Sequence, residues 1–555
     1  MPLMGNLYIG ASGLQASQNA LNATAHNMSN MSTTGYVRQQ VLLGTREYNT
    51  ISVNASSVSN QQLGLGVEYS KVRQVRDAFL DQTYRKESGR SAFYEVSYNT
   101  MSEVENLLGE LDGSSFSDSL GNLWTSVQEL ANNPTSATNQ GLLVQRASEF
   151  LEKATSVYSG LTAYQDNLNL QIKSSVDIIN TYGKQLVELN DKIRKIETGG
   201  IESANDLRDA RNQIIDKLSR LVNISYAEDT TGNITVKIEG EDFVTKDNVY
   251  EIAVDEDPNT GFYTPFWPNN AKYTLDADGN KKYTIENAKV FNMNQTISTD
   301  MNTDIGSVKS MLFARGDHKG NYTDLLNEEK YNSNISQSIL MNIQAEFDQL
   351  IHAVVTSINK VLEDASDSDN NYLCNSDGSP LQLFTKISGV AYVEDPITGD
   401  WIYQEEDINN PNKTETLYSV MNLQINGELE KQPSKLSFRL PDGSEDNETV
   451  EKLKAAFKNE SHILNPNLKL AANFVDYYSN LVSQVANSGA VFRSILYNQE
   501  QTVEATNYAR EQIIGVSQDE ELTNMIKFQN AFNASSRYIN VIDEMLEHII
   551  NTLGR

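Results

Sequence analysis

The sequence predicts a mainly α protein with smaller β-rich parts: an elongated, multidomain chain whose N- and C-terminal helices pair as a coiled coil. Three observations predict this. Apolar residues recur at helical spacing at both ends of the 555 residues. A long three-and-four periodicity runs from Leu161 to Ile196. Short period-two runs interrupt the helical pattern in the middle of the chain.

The first element is a helix over residues 3–30. Leu7, Leu14, Leu21 and Met28 recur every seven positions, and Ala11, Ala16, Ala20, Ala23 and Ala25 allow close helix approach. No formally charged side chain precedes Arg38. A solvated helix normally carries charge opposite its apolar stripe, so this one is expected to be buried on several sides. Gly35 supplies the permissive backbone that ends it.

Residues 37–45 and 66–75 read as extended, and a helix follows from Ala78 to about Leu111, broken at Asp112-Gly113. The periodic residues from Leu161 to Ile196 make a helix of roughly 50–60 Å at 1.5 Å per residue, stopped by Gly199-Gly200. Another helix spans 204–221, and Ile234, Val236 and Ile238 alternate as a strand. Residues 255–304 are turn-rich. A helix covers 335–362, and short strands with turns, such as Asn410-Pro411, fill 387–425.

From Asn473 the pattern is helical to the end, with a break near Gly515. The last stripe holds Met525, Phe528, Phe532, Ser535, Ile539, Ile542, Leu546, Ile549 and Leu553. The expected division is a discontinuous terminal helical domain (1–60 with 505–555), a helical-bundle body with a small β part (61–363 with 418–504) and a β-rich insertion (364–417).

Composition excludes several classes. Lys and Arg number 44 against 74 Asp and Glu, so the net charge is 44 − 74 = −30, with a pI near 4.6. Phosphate contacts need a basic surface, so nucleic acid is not an expected partner. No run approaches the ~18 apolar residues of a membrane span, so no membrane insertion is expected, and the N-terminus lacks the pattern of a cleaved signal. Cys374 is the one cysteine, which leaves no intramolecular disulfide and no cysteine-based zinc cluster.

No catalytic, cofactor or metal site emerges. His26, His318, His352, His462 and His548 are scattered, and HExxH, Walker A and GxSxG patterns are missing. Asp276-Ala-Asp278-Gly279-Asn280 reads as a turn, because it lacks the closing glutamate of a calcium loop. Asp364, Asp367, Asp369 and Asn370 read as a solvated acidic loop.

Two clusters of residues carry a family resemblance. Gly13-Leu14-Gln15-Ala16-Ser17, His26-Asn27-Met28-Ser29-Asn30 and Thr34-Gly35-Tyr36-Val37-Arg38-Gln39 resemble the N-terminal signature of bacterial flagellar rod, hook and hook-associated proteins. Gly515-Val516-Ser517-Gln518-Asp519 with Phe528-Gln529-Asn530-Ala531-Phe532 is similar to their C-terminal signature. The run Tyr36-Val37-Arg38-Gln39, the segment from Asn205 to Gln213, the run from Ile305 to Arg315 and the chain length point to the branch of the first hook–filament junction protein. The signature residues are Gly13, Asn27, Asn30, Gly35, Tyr36, Arg38 and Gln39.

The resemblance implies a non-enzymatic structural component of the flagellum. It implies export without signal cleavage to an extracellular junction between hook and filament, a ring of sibling subunits, contacts with the hook protein and the second junction protein, and an export chaperone on the C-terminal region. The assembly residues would be the two terminal stripes, which are expected to stay disordered until sibling subunits bury them. Rival readings are another axial protein (hook, distal rod or second junction protein), a secreted acidic adhesin, or a hydrolase.

Overall fold

The structure is a computed structural model, and it describes residues 2–46, 49–52, 61–109, 115–200, 202–275, 281–367, 370, 372–408 and 414–553. The expected break at Asp112-Gly113, the loop from Asp276 to Asn280, Asp369 and the Asn410-Pro411 turn lie outside these residues.

The first half contains α1 (Pro2–Ser29), β1 (Gln39–Thr45), β2 (Asn49–Ser52), β3 (Gln61–Leu63), β4 (Val67–Gln74), α2 (Ala78–Leu108), α3 (Phe116–Asn132), α4 (Ala137–Glu197) and α5 (Asn205–Leu221). Next come β5 (Ile224–Glu228), β6 (Ile234–Ile238), β7 (Glu241–Val244), β8 (Ala253–Glu256), β9 (Tyr263–Phe266), β10 (Lys272–Leu275) and β11 (Lys281–Thr284). The second half holds α6 (Ser307–Arg315), the single turn α7 (Glu328–Lys330), a π-type turn at Tyr331–Ile335, α8 (Ile339–Ala365), β12 (Phe384–Lys386), β13 (Tyr392–Glu394), β14 (Trp401–Tyr403) and β15 (Leu423–Ile425). It closes with α9 (Gly427–Lys431), α10 (Asn447–Lys458), β16 (His462–Asn465), β17 (Leu468–Ala472), α11 (Phe474–Ile514) and α12 (Gln518–Leu553). The chain is thus mainly helical, and its paired strands are all antiparallel, in two- and three-stranded sheets.

Two compact units form: residues 1–91, 177–251 and 499–555 make the first, and 92–176 and 252–498 the second. In the first unit α1 packs along α12, so the two ends of the chain pair as the patterning predicts. β1 and β4 form a ribbon in the register Gln39↔Gln74 to Thr45↔Val67. β5, β6 and β7 make a three-stranded sheet, with Ile234, Val236 and Ile238 buried and Thr235 and Lys237 exposed between them. That alternation is the period-two signal of the sequence, placed on one buried face.

In the second unit the core is built on α8, where Phe347, Leu350, Ile351, Val354 and Val355 are fully buried. Phe116, Phe150, Phe347, Phe384 and Tyr478 meet there at ring separations of 4.8 to 6.4 Å, in tilted and edge-to-face arrangements. α3 starts on a capping box, in which Ser115 Oγ accepts from the Asp118 N–H and Asp118 accepts from the Ser115 N–H.

Three expectations change. The long helix begins at Ala137, well before Leu161, because Leu143, Ala147, Phe150 and Ala154 extend its buried face. The turn-rich stretch carries two hairpins, β8–β9 and β10–β11. Helices α3 and α10 and the hairpin β16–β17 are additions to the predicted set.

Candidate assembly surface

The seam between the terminal helices follows from residue size. A Cβ added at Gly10 would stand 2.7 Å from Ile539 Cγ1, and one at Gly13 would stand 2.8 Å from Ser535 Oγ. Glycine at both positions lets the α1 backbone rest directly on α12. Gly10, Ser12, Ala16, Ser17, Ala20, Thr24 and Asn27 are the buried residues of α1 among those described, while Leu7, Leu14, Leu21 and Met28 are half-buried along its flank. On α12, Met525, Phe528, Phe532, Ser535, Ile539 and Leu546 are half-buried, Ile542 is fully buried and Ile549 is exposed. The side chain of Leu553 lies outside the described set.

Below the seam, the signature residues form a bracket. Asn27 is 1% exposed. Its Nδ2 donates to the Gln39 carbonyl at 2.9 Å, and its Oδ1 accepts from the Gln39 N–H at 2.9 Å and from the Tyr36 hydroxyl at 2.8 Å. One side chain therefore holds the end of α1 against the start of β1. Gly35 has φ of +77°, and a side chain there would collide with Gln213 of α5, whose Nε2 donates to the Thr34 carbonyl at 2.9 Å. Arg38 reaches the α11–α12 corner twice, through its N–H to the Ile514 carbonyl and through its guanidinium to Glu520, 2.6 Å away. Gln39 Nε2 donates to Asp206 at 3.3 Å. Asn30 donates to the His26 carbonyl, and the His26 ring stands edge-on to Tyr36.

Asp209 of α5 closes the bracket. It accepts from the Val37 N–H at 3.2 Å and from Gln74 Nε2 at 2.7 Å, with the Arg76 guanidinium 3.8 Å away. Burial, opposed by those donors and by Arg76, pushes its carboxyl up to about 7. Burial also pushes the Tyr36 phenol up, so it remains a neutral donor to Asn27. Alongside, Asp81 and Asp216 are tied by Arg76, Arg85 and Arg510 at 2.6 to 2.9 Å, which links α2, α5 and α11. Nothing in the heptad pattern announced this ionic knot. Its one legible hint was the charge-dense run from Asn205 to Gln213.

One face of α12 is left bare. Tyr538, Val541, Met545 and Ile549 follow one another at i, i+3, i+7 and i+11, and all are exposed. On α1, Tyr8 is 64% exposed. The uncharged first helix is thus covered on part of its circumference within a single chain.

Comparison with known proteins bears on what this surface serves. The family model described as flagellar hook-associated protein FlgK helical domain matches residues 101–375. Residues 7–36 match that of the flagella basal body rod protein, and residues 513–552 match that of the flagellar basal body rod FlgEFG protein C-terminal region. Flagellar hook-associated protein 1 of Bacillus subtilis (strain 168) is 26% identical across 98% of this chain and 96% of its own.

The chain is similar to flagellar hook-associated protein 1 over nearly its whole length.

The hook-associated protein 1 of Escherichia coli (strain K12) is 24% identical over 97% of this chain and 98% of its own. That of Salmonella typhimurium (strain LT2) is 23% identical over the same shares, 97% and 98%. The flagellar hook junction protein FlgK of Burkholderia pseudomallei has a similar fold. It superposes with a TM-score of 0.53 at 11% identity, covering 78% of this chain and 99% of that one. The rod-protein matches fall on α1 with the start of the bracket and on α12, the two elements that pair here.

Proposed function

We propose that this chain is a structural subunit of the bacterial flagellum that forms the junction between hook and filament by packing its terminal helices against sibling subunits. The observation that carries this reading is the bare stripe Tyr538, Val541, Met545 and Ile549, which adjoins the face of α12 covered by α1. An amphipathic helix with a second apolar face calls for a second neighbour. Each of these side chains contributes roughly 1.5–3 kcal/mol when fully buried, before ordering costs. The partners of this reading are copies of the same chain in a ring, the hook protein, the second junction protein and an export chaperone on the C-terminal region. Its location is extracellular, reached without cleavage of a signal. The predicted stripes, from Leu7 to Met28 and from Met525 to Leu553, serve first to pair the two ends and then to flank the contact between subunits.

Two substitutions separate pairing from assembly. Met545→Asp is expected to leave circular dichroism and urea stability unchanged while excluding the subunit from flagella and abolishing motility. Ile542→Asp is expected to lower stability by about 3 kcal/mol or more, because it buries a charge in the seam. Normal incorporation of the Met545→Asp chain would refute the proposal.

A further inference from the structure

We propose that the second unit carries a small-molecule site unconnected with assembly: a cavity that binds a primary alkylammonium group beside Glu346. The cavity measures about 410 Å³ and lies among the π-type turn, the start of α8, the hairpin β16–β17 and α11.

Glu346 stands behind its wall. The side chain is fully buried, and among the described residues the hydrogen-bond donors to its carboxylate are neutral amides. Asn342 Nδ2 of α8 donates at 3.1 Å, Asn465 Nδ2 of β16 at 2.7 Å and Gln484 Nε2 of α11 at 2.9 Å. The other titratable groups that sense it are the phenols of Tyr331 and Tyr477. A buried carboxylate held by neutral groups leaves its negative charge uncompensated.

Those amides orient the wall. Asn342 and Gln484 line the cavity and spend their N–H groups on Glu346. The Asn342 Oδ1 and Gln337 Oε1 atoms are buried acceptors with no hydrogen-bond partner among the described residues. A complementary ligand therefore donates hydrogen bonds and carries positive charge. Met101, Ile343, Val485 and Phe492 make the other side of the cavity apolar. An ammonium head on a short methylene stem fits both halves. The rim residues Ser336, Asn467 and Leu468 are exposed and give access.

The geometry couples binding to a proton. Burial pushes Glu346 up to about 7, with the three amides opposing. An ammonium ligand favours the ionised form, so affinity should rise about tenfold between pH 6 and pH 8.

The test is calorimetric titration of the full chain with n-butylammonium chloride, with n-butanol and sodium chloride as controls. The expected result is saturable binding that tightens about tenfold from pH 6 to pH 8, with no binding of butanol. Glu346→Gln should weaken it at least tenfold and remove the pH dependence. Ser488→Phe, which narrows the cavity from α11 and leaves Glu346 in place, should block it even if Glu346→Gln fails to fold. Heats equal to those of sodium chloride, or equal affinity in the wild type and Ser488→Phe, would overturn the proposal. A parallel titration with N-acetyl-lysine methylamide identifies the source. Binding of both probes points to a lysine of a docked protein, and binding of butylammonium alone points to a free amine.

Discussion

Replacing Asn27 by alanine tests the bracket beneath the terminal helices most directly. The side chain is 1% exposed and makes three hydrogen bonds, two to Gln39 backbone groups and one to the Tyr36 hydroxyl. Each contributes about 1 kcal/mol net, and stranded partners add to the loss, so Asn27→Ala should destabilise the bracket by about 3 kcal/mol. At 1.4 kcal/mol per tenfold, that is an acceleration of roughly 100-fold in local opening. Amide hydrogen exchange measures it. The reporters are the Arg38 N–H, bonded to the Ile514 carbonyl, and the Val75 N–H, bonded to the Arg38 carbonyl, because neither touches Asn27. Gln15→Ala, on the exposed side of α1, serves as a control within about 0.5 kcal/mol. Exchange at both reporters within fivefold of the wild type would show that Asn27 does not hold the joint.

Asp209 and His318 both predict stability that falls as pH rises, in successive pH windows. The Asp209 carboxyl is pushed up to about 7, so its ionisation in the folded chain is penalised and stability falls as pH rises from about 4 through 7. Asp209→Asn should therefore gain on the wild type by on the order of 2–4 kcal/mol between pH 4 and pH 8, read from urea midpoints. For His318, burial alone would depress the ring. Hydrogen bonds to Asp317 at 2.6 Å and Asp324 at 2.9 Å outweigh that and hold it up at about 9. Its stabilisation is complete below about pH 6.5 and is lost as pH rises through 9, and His318→Gln should flatten the urea-midpoint profile over that window. Gly10→Val would drive side-chain atoms into Ile539 and should separate α1 from α12. Accelerated exchange along both helices is the expected readout, and unchanged exchange would refute the close packing.

The extent of what patterning could reveal is clear from particular elements. Pairing of the ends was legible, because the seam of α12 is a regular row from Met525 to Leu546, apolar except for Ser535, and α1 supplies small residues in step. The β6 strand was legible from Ile234, Val236 and Ile238, which occupy one buried face. The start of α4 was missed because residues 137–160 mix Ser, Thr and Gln among the apolar positions. The ionic knot of Asp81, Asp216, Arg85 and Arg510 joins residues up to 429 positions apart (510 − 81), and charge carries no periodicity that reveals such partners.

By itself the sequence determined that this chain is helical, acidic and rich in unsatisfied apolar faces at its ends, since periodicity and composition are properties of neighbouring residues. The tertiary structure decided which face each stripe covers. It put Gly10 and Gly13 of α1 on Ile539 and Ser535, left Tyr538, Val541, Met545 and Ile549 exposed, and surrounded Glu346 with amides. Those choices depend on contacts between segments hundreds of residues apart, where burial and geometry, rather than local spacing, set the energy.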